Sequence, residues 1–182
     1  MKRQIRRGVF ETNSSSTHSI SISKAPATIG KSIHFGIGEF GWNNDEADTA
    51  DYLYTGILCQ DDHKEYLDKL KDYLDKNNIQ YSFEEPKWYE NNEDKWLDEG
   101  YVDHSYELRE FLDVILNDDD MLTRYLFGDS CVYTGNDNQD NCPSRCNIAD
   151  EYVYVEDEHG NYVEQLNPYH DPEHYDYFYK GN

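Results

Sequence analysis

His18-Ser19-Ile20-Ser21-Ile22-Ser23 alternates polar and apolar side chains without a break. Successive side chains of an extended chain point to opposite faces, so this period of two predicts a half-buried β-strand. Just upstream, Val9 to Thr12 can be extended, and Asn13-Ser14-Ser15-Ser16 has the composition of a turn, because short hydroxyl and amide side chains bond their own backbone. Together these stretches predict an N-terminal β-hairpin. Downstream, Pro26 to Gly30 breaks the chain. Ile33, Phe35 and Ile37 then alternate again, with Gly36 and Gly38 weakening that strand or marking a close approach of backbone.

The period changes after Asn43-Asn44-Asp45. Ala50, Leu53, Tyr54, Ile57 and Leu58 fall on one face of a helix. A second helix, running from Asp62 to Asn77, places Tyr66, Leu67, Leu70, Tyr73 and Leu74 on one side and Lys64, Asp68, Lys69, Lys71, Asp72 and Asp75 on the other. Ile79 to Phe83 reads as a short strand ended by Pro86, and Trp88 to Tyr101, with no clear period, as a loop. Leu108, Phe111, Leu112 and Ile115 define a third helix over Ser105 to Leu116. Asp118-Asp119-Asp120 caps a fourth, through Met121, Leu122, Tyr125 and Leu126, which Gly128 stops. Glu151 to Glu156 alternates imperfectly, and His159-Gly160-Asn161 makes a turn before Tyr162-Val163, a C-terminal hairpin. Residues 168–182 form an aromatic, acidic tail expected to order only on binding or packing. There is no internal repeat and no Pro/Gly/Ser linker, so residues 1–182 are expected to form one α+β domain with a hairpin at each end and amphipathic helices between.

Composition narrows the function. The mean hydropathy is −0.99, yet the chain holds 17 Tyr, 7 Phe and 3 Trp, whereas disordered chains are poor in aromatics. Tyr buries its ring and keeps its hydroxyl hydrogen-bonded, so a Tyr-rich interior is expected. Net charge is −22, from 16 Lys and Arg against 38 Asp and Glu. Over most of the surface that excludes nucleic-acid binding through a basic patch. It permits binding to a basic protein groove, and equally it serves solubility. The charge is split: residues 1–31 carry six basic side chains against Glu11 alone, a net of +5, leaving −27 on the rest. No run of 18 apolar residues and no signal-peptide core is present, so the expectation is a cytoplasmic protein without a membrane span.

The cationic stretch is the densest in chemistry. Arg6 and Arg7 precede Glu11, Asn13, Ser14, Ser15, Ser16 and His18. An arginine fork with hydroxyl and amide donors suits a phosphate. His18, with an ordinary pKa of about 6.5, can exchange a proton at neutral pH, and Glu11 can orient it or act beside it. Such a set could cleave an RNA phosphodiester: His18 and Glu11 as acid and base, the arginines on the phosphate, Asn13 and the serines positioning it. The same residues also satisfy a plainer reading as a hairpin turn, with His18 a solvated side chain and the arginines paired to the acidic body.

The string Arg-Arg-Gly-Val-Phe-Glu-Thr-Asn-Ser-Ser-Ser-Thr-His-Ser, from Arg6 to Ser19, resembles the N-terminal signature of small proteins from phages and mobile elements of low-GC Gram-positive bacteria. Some of these are type II-A anti-CRISPR proteins, inhibitors of Cas9. The likeness covers about residues 3–22 and also occurs in phage proteins of unknown role. It implies a partner, Cas9 or its guide-RNA complex, and two modes, obstruction of DNA loading or disabling of the guide RNA. The acidic body suits the positively charged channel of such an effector, while the cationic segment suits the guide backbone. The rival expectations are a non-catalytic acidic decoy and a phage protein with another host target.

Other patterns are weaker. Cys142-Pro143-Ser144-Arg145-Cys146 offers C-x3-C, but with Cys59 and Cys131 far off in sequence no second close pair completes a zinc site. Asn136 to Asp140 lacks the Gly and Glu of a calcium loop, and Pro172 separates His170 from His174. There is no phosphate-binding Gly loop or nucleophile elbow, so neither metal nor cofactor is expected.

Overall fold

The alternating stretch becomes a strand, β1 (Ser16–Ser23), and all eight of its residues are buried. The computed structural model describes residues 16–43, 45–90, 95–136 and 143–181. After β1 come three short strands, β2 (Ser32–Phe35), β3 (Glu39–Phe40) and β4 (Asp45–Ala47). Two helices follow, α1 (Thr49–Leu58) and α2 (His63–Lys76), and then strands β5 (Gln80–Phe83), β6 (Trp88–Glu90), β7 (Lys95–Leu97) and β8 (Tyr101–Val102). A 3₁₀ turn at Ser105–Leu108 leads into α3 (Arg109–Ile115) and α4 (Asp119–Phe127). β9 (Cys131–Asn136) precedes a 3₁₀ turn at Arg145–Asn147, and β10 (Tyr152–Glu156), β11 (Tyr162–Leu166) and β12 (Tyr175–Gly181) complete the α+β domain.

The main sheet has the order β12-β1-β9-β4, with β1 antiparallel to both neighbours. His18 lies opposite Gly181 on one side and Thr134 on the other. The aromatic tail is therefore a structural strand, ordered by packing inside the domain. The expected partner of β1 in an N-terminal hairpin, residues 9–12, lies outside the described residues; both edges of β1 are taken by β12 and β9.

The expectation of a half-buried β1 is corrected. Ile20 and Ile22 face the apolar core, with no exposed surface. Ser19, on the opposite face, donates to the Cys146 carbonyl, so the turn at Arg145–Asn147 covers that face too. Thr17 on this face likewise donates to a backbone carbonyl, that of Gly181, and such bonds offset part of the cost of burying a polar strand face.

Helix α1 is also more deeply placed than one apolar face predicts: eight of its ten residues are buried. It carries a single charge, Asp51, and a helix apolar nearly all round belongs in a core. The Asp48 carboxylate caps it, accepting from the Ala50 and Asp51 N–H groups at 2.9 and 3.1 Å. Asp51 in turn accepts from the Gly36 N–H at 2.6 Å, and a Cβ at Gly36 would stand 3.0 Å from that carboxylate. Close backbone approach is thus the role of this glycine. Around α1 the interior is tyrosine-rich, as composition implied. Buried Tyr54, Tyr66 and Tyr73 keep their hydroxyls bonded, to the Glu84 carbonyl, Asp113 and Thr123 at 2.9, 2.8 and 2.7 Å.

Asp118 caps α4 through the Met121 N–H at 3.0 Å, as the triple aspartate implied. The stretch read as a loop, Trp88 to Tyr101, instead contains the β6–β7 hairpin, held by cross-strand aromatics: the Tyr89 and Trp96 rings are 4.6 Å apart. Its β8 end pairs in parallel with β3. Among the described residues no helix is long and apolar enough to cross a membrane.

One buried cation fastens the sheet to the helices. Arg124 of α4 is 9% exposed and donates to the Ser23 carbonyl at 2.6 Å, Asp176 at 2.8 Å and Asp120 at 3.0 Å. It thereby ties α4 to the ends of β1 and β12. Replacing it with Ala strands a buried carbonyl and leaves Asp176 without its cation, a loss of about 2–3 kcal/mol once partial exposure of the carboxylates is allowed for. Arg124→Lys should recover less than half of that, since one ammonium cannot span three acceptors. Urea unfolding of the two variants measures both effects.

Candidate functional site

Of the eight residues proposed to act together, Arg6, Arg7, Glu11, Asn13, Ser14 and Ser15 lie outside the described residues. Ser16 and His18 are placed, and the strand period puts them on one face of β1. The Ser16 hydroxyl and His18 Nε2 are 3.1 Å apart. That is the separation of a nucleophile and its base. Yet Ser16 has no exposed surface and His18 is 1% exposed. The imidazole lies against the Tyr52 ring of α1, centroids 5.9 Å apart, and Tyr52 packs edge-on against Phe40. A phosphodiester cannot reach either atom while the sheet is closed.

Burial also sets the protonation state. Loss of hydration lowers the His18 pKa from 6.5 to about 4; Asp103 and Glu107 oppose that shift by favouring the cation, and His104 adds to it. At neutral pH the ring is therefore uncharged, and in this closed arrangement it works as an internal hydrogen-bonding group. Sequence reasoning missed its surroundings, because Tyr52 and Asp103 are remote in the chain and only the fold brings them in. Thr17, pointing the other way, donates to the Gly181 carbonyl at 3.5 Å. The described part of the signature, Ser16 to Ser19, thus helps hold the C-terminal strand in the sheet.

Elsewhere the carboxylates shape the surface. A shallow cleft is lined by Glu39, Glu84, Glu85, Lys87 and Glu99. Two of its acids are committed: Glu84 accepts from the Ile37 N–H at 2.9 Å, and Glu99 pairs with Lys87 at 2.6 Å. Cys131 and Cys146 are buried and Cys59 half-buried, with the Cys146 thiol donating to the Thr134 carbonyl at 3.0 Å; Cys142 is outside the described residues. Among the described residues no group of three or more His, Cys, Asp or Glu is arranged to hold a metal ion. His170 and His174 bond separate partners, the Ile148 carbonyl and Asp129.

No family model, curated protein or solved structure matches the chain.

The low pKa of His18 has a measurable consequence. Between pH 6.5 and 4 the unfolded chain binds a proton that the folded chain refuses, so this residue's contribution to stability falls as pH drops through that window. The loss is about 2 kcal/mol by pH 5. Acid also relieves repulsion in a chain of net charge −22, so the informative quantity is the difference between wild type and His18→Phe. Urea midpoints measured from pH 7 to pH 4.5 should fall relative to those of the variant.

Proposed function

We propose that this chain is an anti-CRISPR protein that binds Cas9 or its guide-RNA complex and prevents target cleavage by occupying a basic surface meant for nucleic acid. The observation that carries this reading is the placement of charge. The chain has 38 acidic residues, and among the described residues no Asp or Glu is buried. The negative charge is thus a shell around a rigid core, which is the form a polyanion mimic needs. The positively charged channel of a Cas9-type effector is a surface of opposite sign. The N-terminal string supplies the lineage.

Obstruction is the form of inhibition that we adopt. Guide cleavage would use His18 and Glu11, and a neutral imidazole at 1% exposure offers RNA no acid or base in the closed fold. Arg6 and Arg7, with Asn13, Ser14 and Ser15, keep a separate part in this proposal: they contact the guide backbone that the acidic body repels. The protein then acts in the cytoplasm of the host bacterium.

The test is to incubate the protein with a type II-A Cas9 and its guide, then measure DNA binding and run the RNA on a denaturing gel. The expected outcome is intact guide, lost DNA binding, and inhibition that weakens about tenfold or more between 0.1 and 0.5 M salt. Replacing Arg6 and Arg7 with Ala should weaken inhibition further; unchanged potency removes the guide-contact role. A shortened guide that stays whole with His18→Ala would replace obstruction with catalysis. No effect on Cas9 would end the assignment.

A further inference from the structure

The hairpin of β10 and β11 stands apart from the core in composition and exposure. Of the nine large apolar or aromatic side chains that are exposed among the described residues, six fall between Tyr152 and Tyr169. Scattered exposed apolar side chains are ordinary, but a cluster of them marks a contact surface. The strand register shows that four of them are not merely close in sequence. Tyr152 lies opposite Leu166, Tyr154 opposite Glu164, and Glu156 opposite Tyr162. Directly opposed residues of an antiparallel pair share a face, so Tyr152, Tyr154, Tyr162 and Leu166 form one surface with Glu156 and Glu164 among them, while Val163, opposite Val155, lies on the other face and Tyr169 lies beyond the strands. Tyr162 is 74% and Leu166 65% exposed, while Val153, on the opposite face, is fully buried.

The support beneath this surface is firm. Asp157 accepts from the His159 and Asn161 N–H groups, both at 2.8 Å, closing the turn; these donors hold its carboxyl below the ordinary carboxylate range. Gly160 takes the left-handed conformation that the turn requires, at φ +79°. At the base, buried Asn167 donates to the Asn147 and Asp150 carbonyls at 2.7 and 3.0 Å. A rigid aromatic face loses little entropy on binding.

Charge selects the occupant. Residues 151–167 contain five carboxylates and neither Lys nor Arg. A second copy of the same face would bring like charges together, and a phosphate backbone would be repelled. A guanidinium satisfies every group present: it stacks on tyrosine rings and forms a two-pronged pair with a carboxylate. Tyrosine and arginine are also both enriched at energetic hot spots. We propose that this face of the β10–β11 hairpin is a docking surface for an arginine-bearing patch of a partner protein. Only the partner's identity as Cas9 rests on the inhibitor reading.

Two measurements test the surface. In the first, the isotopically labelled full chain is titrated, by NMR, with a ten-residue peptide alternating Arg and Gly, and with its Lys counterpart. Shifts should concentrate on residues 151–167, and the Arg peptide should bind several-fold more tightly. Shifts spread evenly over acidic surfaces, equal affinities, or concentration-dependent shifts of the same face without peptide would overturn the proposal, the last by making a second copy the occupant. In the second, Tyr152→Ser/Tyr154→Ser/Tyr162→Ser and, separately, Glu156→Gln/Glu164→Gln are compared with wild type for binding to the Cas9–guide complex. Folding is checked by thermal melts. The expected losses are about tenfold or more for the first variant and several-fold for the second. Tight binding by wild type that both variants retain overturns the docking surface and leaves the inhibitor reading standing. If wild type does not bind Cas9, the inhibitor reading fails and the peptide titration alone decides the surface.

Discussion

Strand β1 is paired on both edges and covered on both faces, and the remaining elements are arranged to satisfy it. Its neighbours β12 and β9 come from the far end of the chain, with Ser19 opposite Lys180 and Tyr133. Each backbone donor and acceptor in this buried strand needs a partner, because an orphan would cost about 1–3 kcal/mol. The sheet supplies those partners only when residues more than 100 positions apart have met. Loop closure over such distances must precede its reward, so these strand pairings carry a large cost in chain entropy.

The alternation within β1 assigns its two faces different duties. Ile20 and Ile22 join Tyr52, Leu53, Phe111 and Tyr125 in the core. On the other face Ser19 reaches the Cys146 carbonyl, and past the strand's end Ser130 accepts from the Ser23 N–H at 3.0 Å. Arg124 closes the same corner. It is the one charged side chain buried among the described residues apart from His18, whose ring is neutral: the Arg124 guanidinium is matched to three acceptors, and the His18 ring has shed its charge.

Among the described residues the carboxylates stay outside the core. That separation gives a molecule whose core is conventional and whose surface is strongly negative, and it explains how a chain of net charge −22 folds. Repulsion among surface charges in water is weak and screened, whereas hydrophobic burial is not. The same surface, with tyrosines placed among its acids on one exposed hairpin, has the chemistry to meet a basic partner.

Local patterns were legible. Tyr66, Leu70, Tyr73 and Leu74 marked the buried face of α2, Asp118 its role as a cap, and His159-Gly160-Asn161 the turn of the C-terminal hairpin. These follow from side-chain period and turn chemistry, which act between residues a few positions apart. No strand was expected at Cys131–Asn136, and the tail was expected to order only on binding or packing; each is a strand only because β1 presents an edge to it. The acid/base character expected of His18 depended likewise on solvent, which Tyr52 and its neighbours remove. By itself the sequence determined the α+β class, the helices, the C-terminal turn and the split of charge, since all are summed from local terms. Strand partners, the burial of a serine-lined face and the protonation state of His18 were decided by the tertiary structure alone, because each depends on what residues distant in the chain exclude or supply.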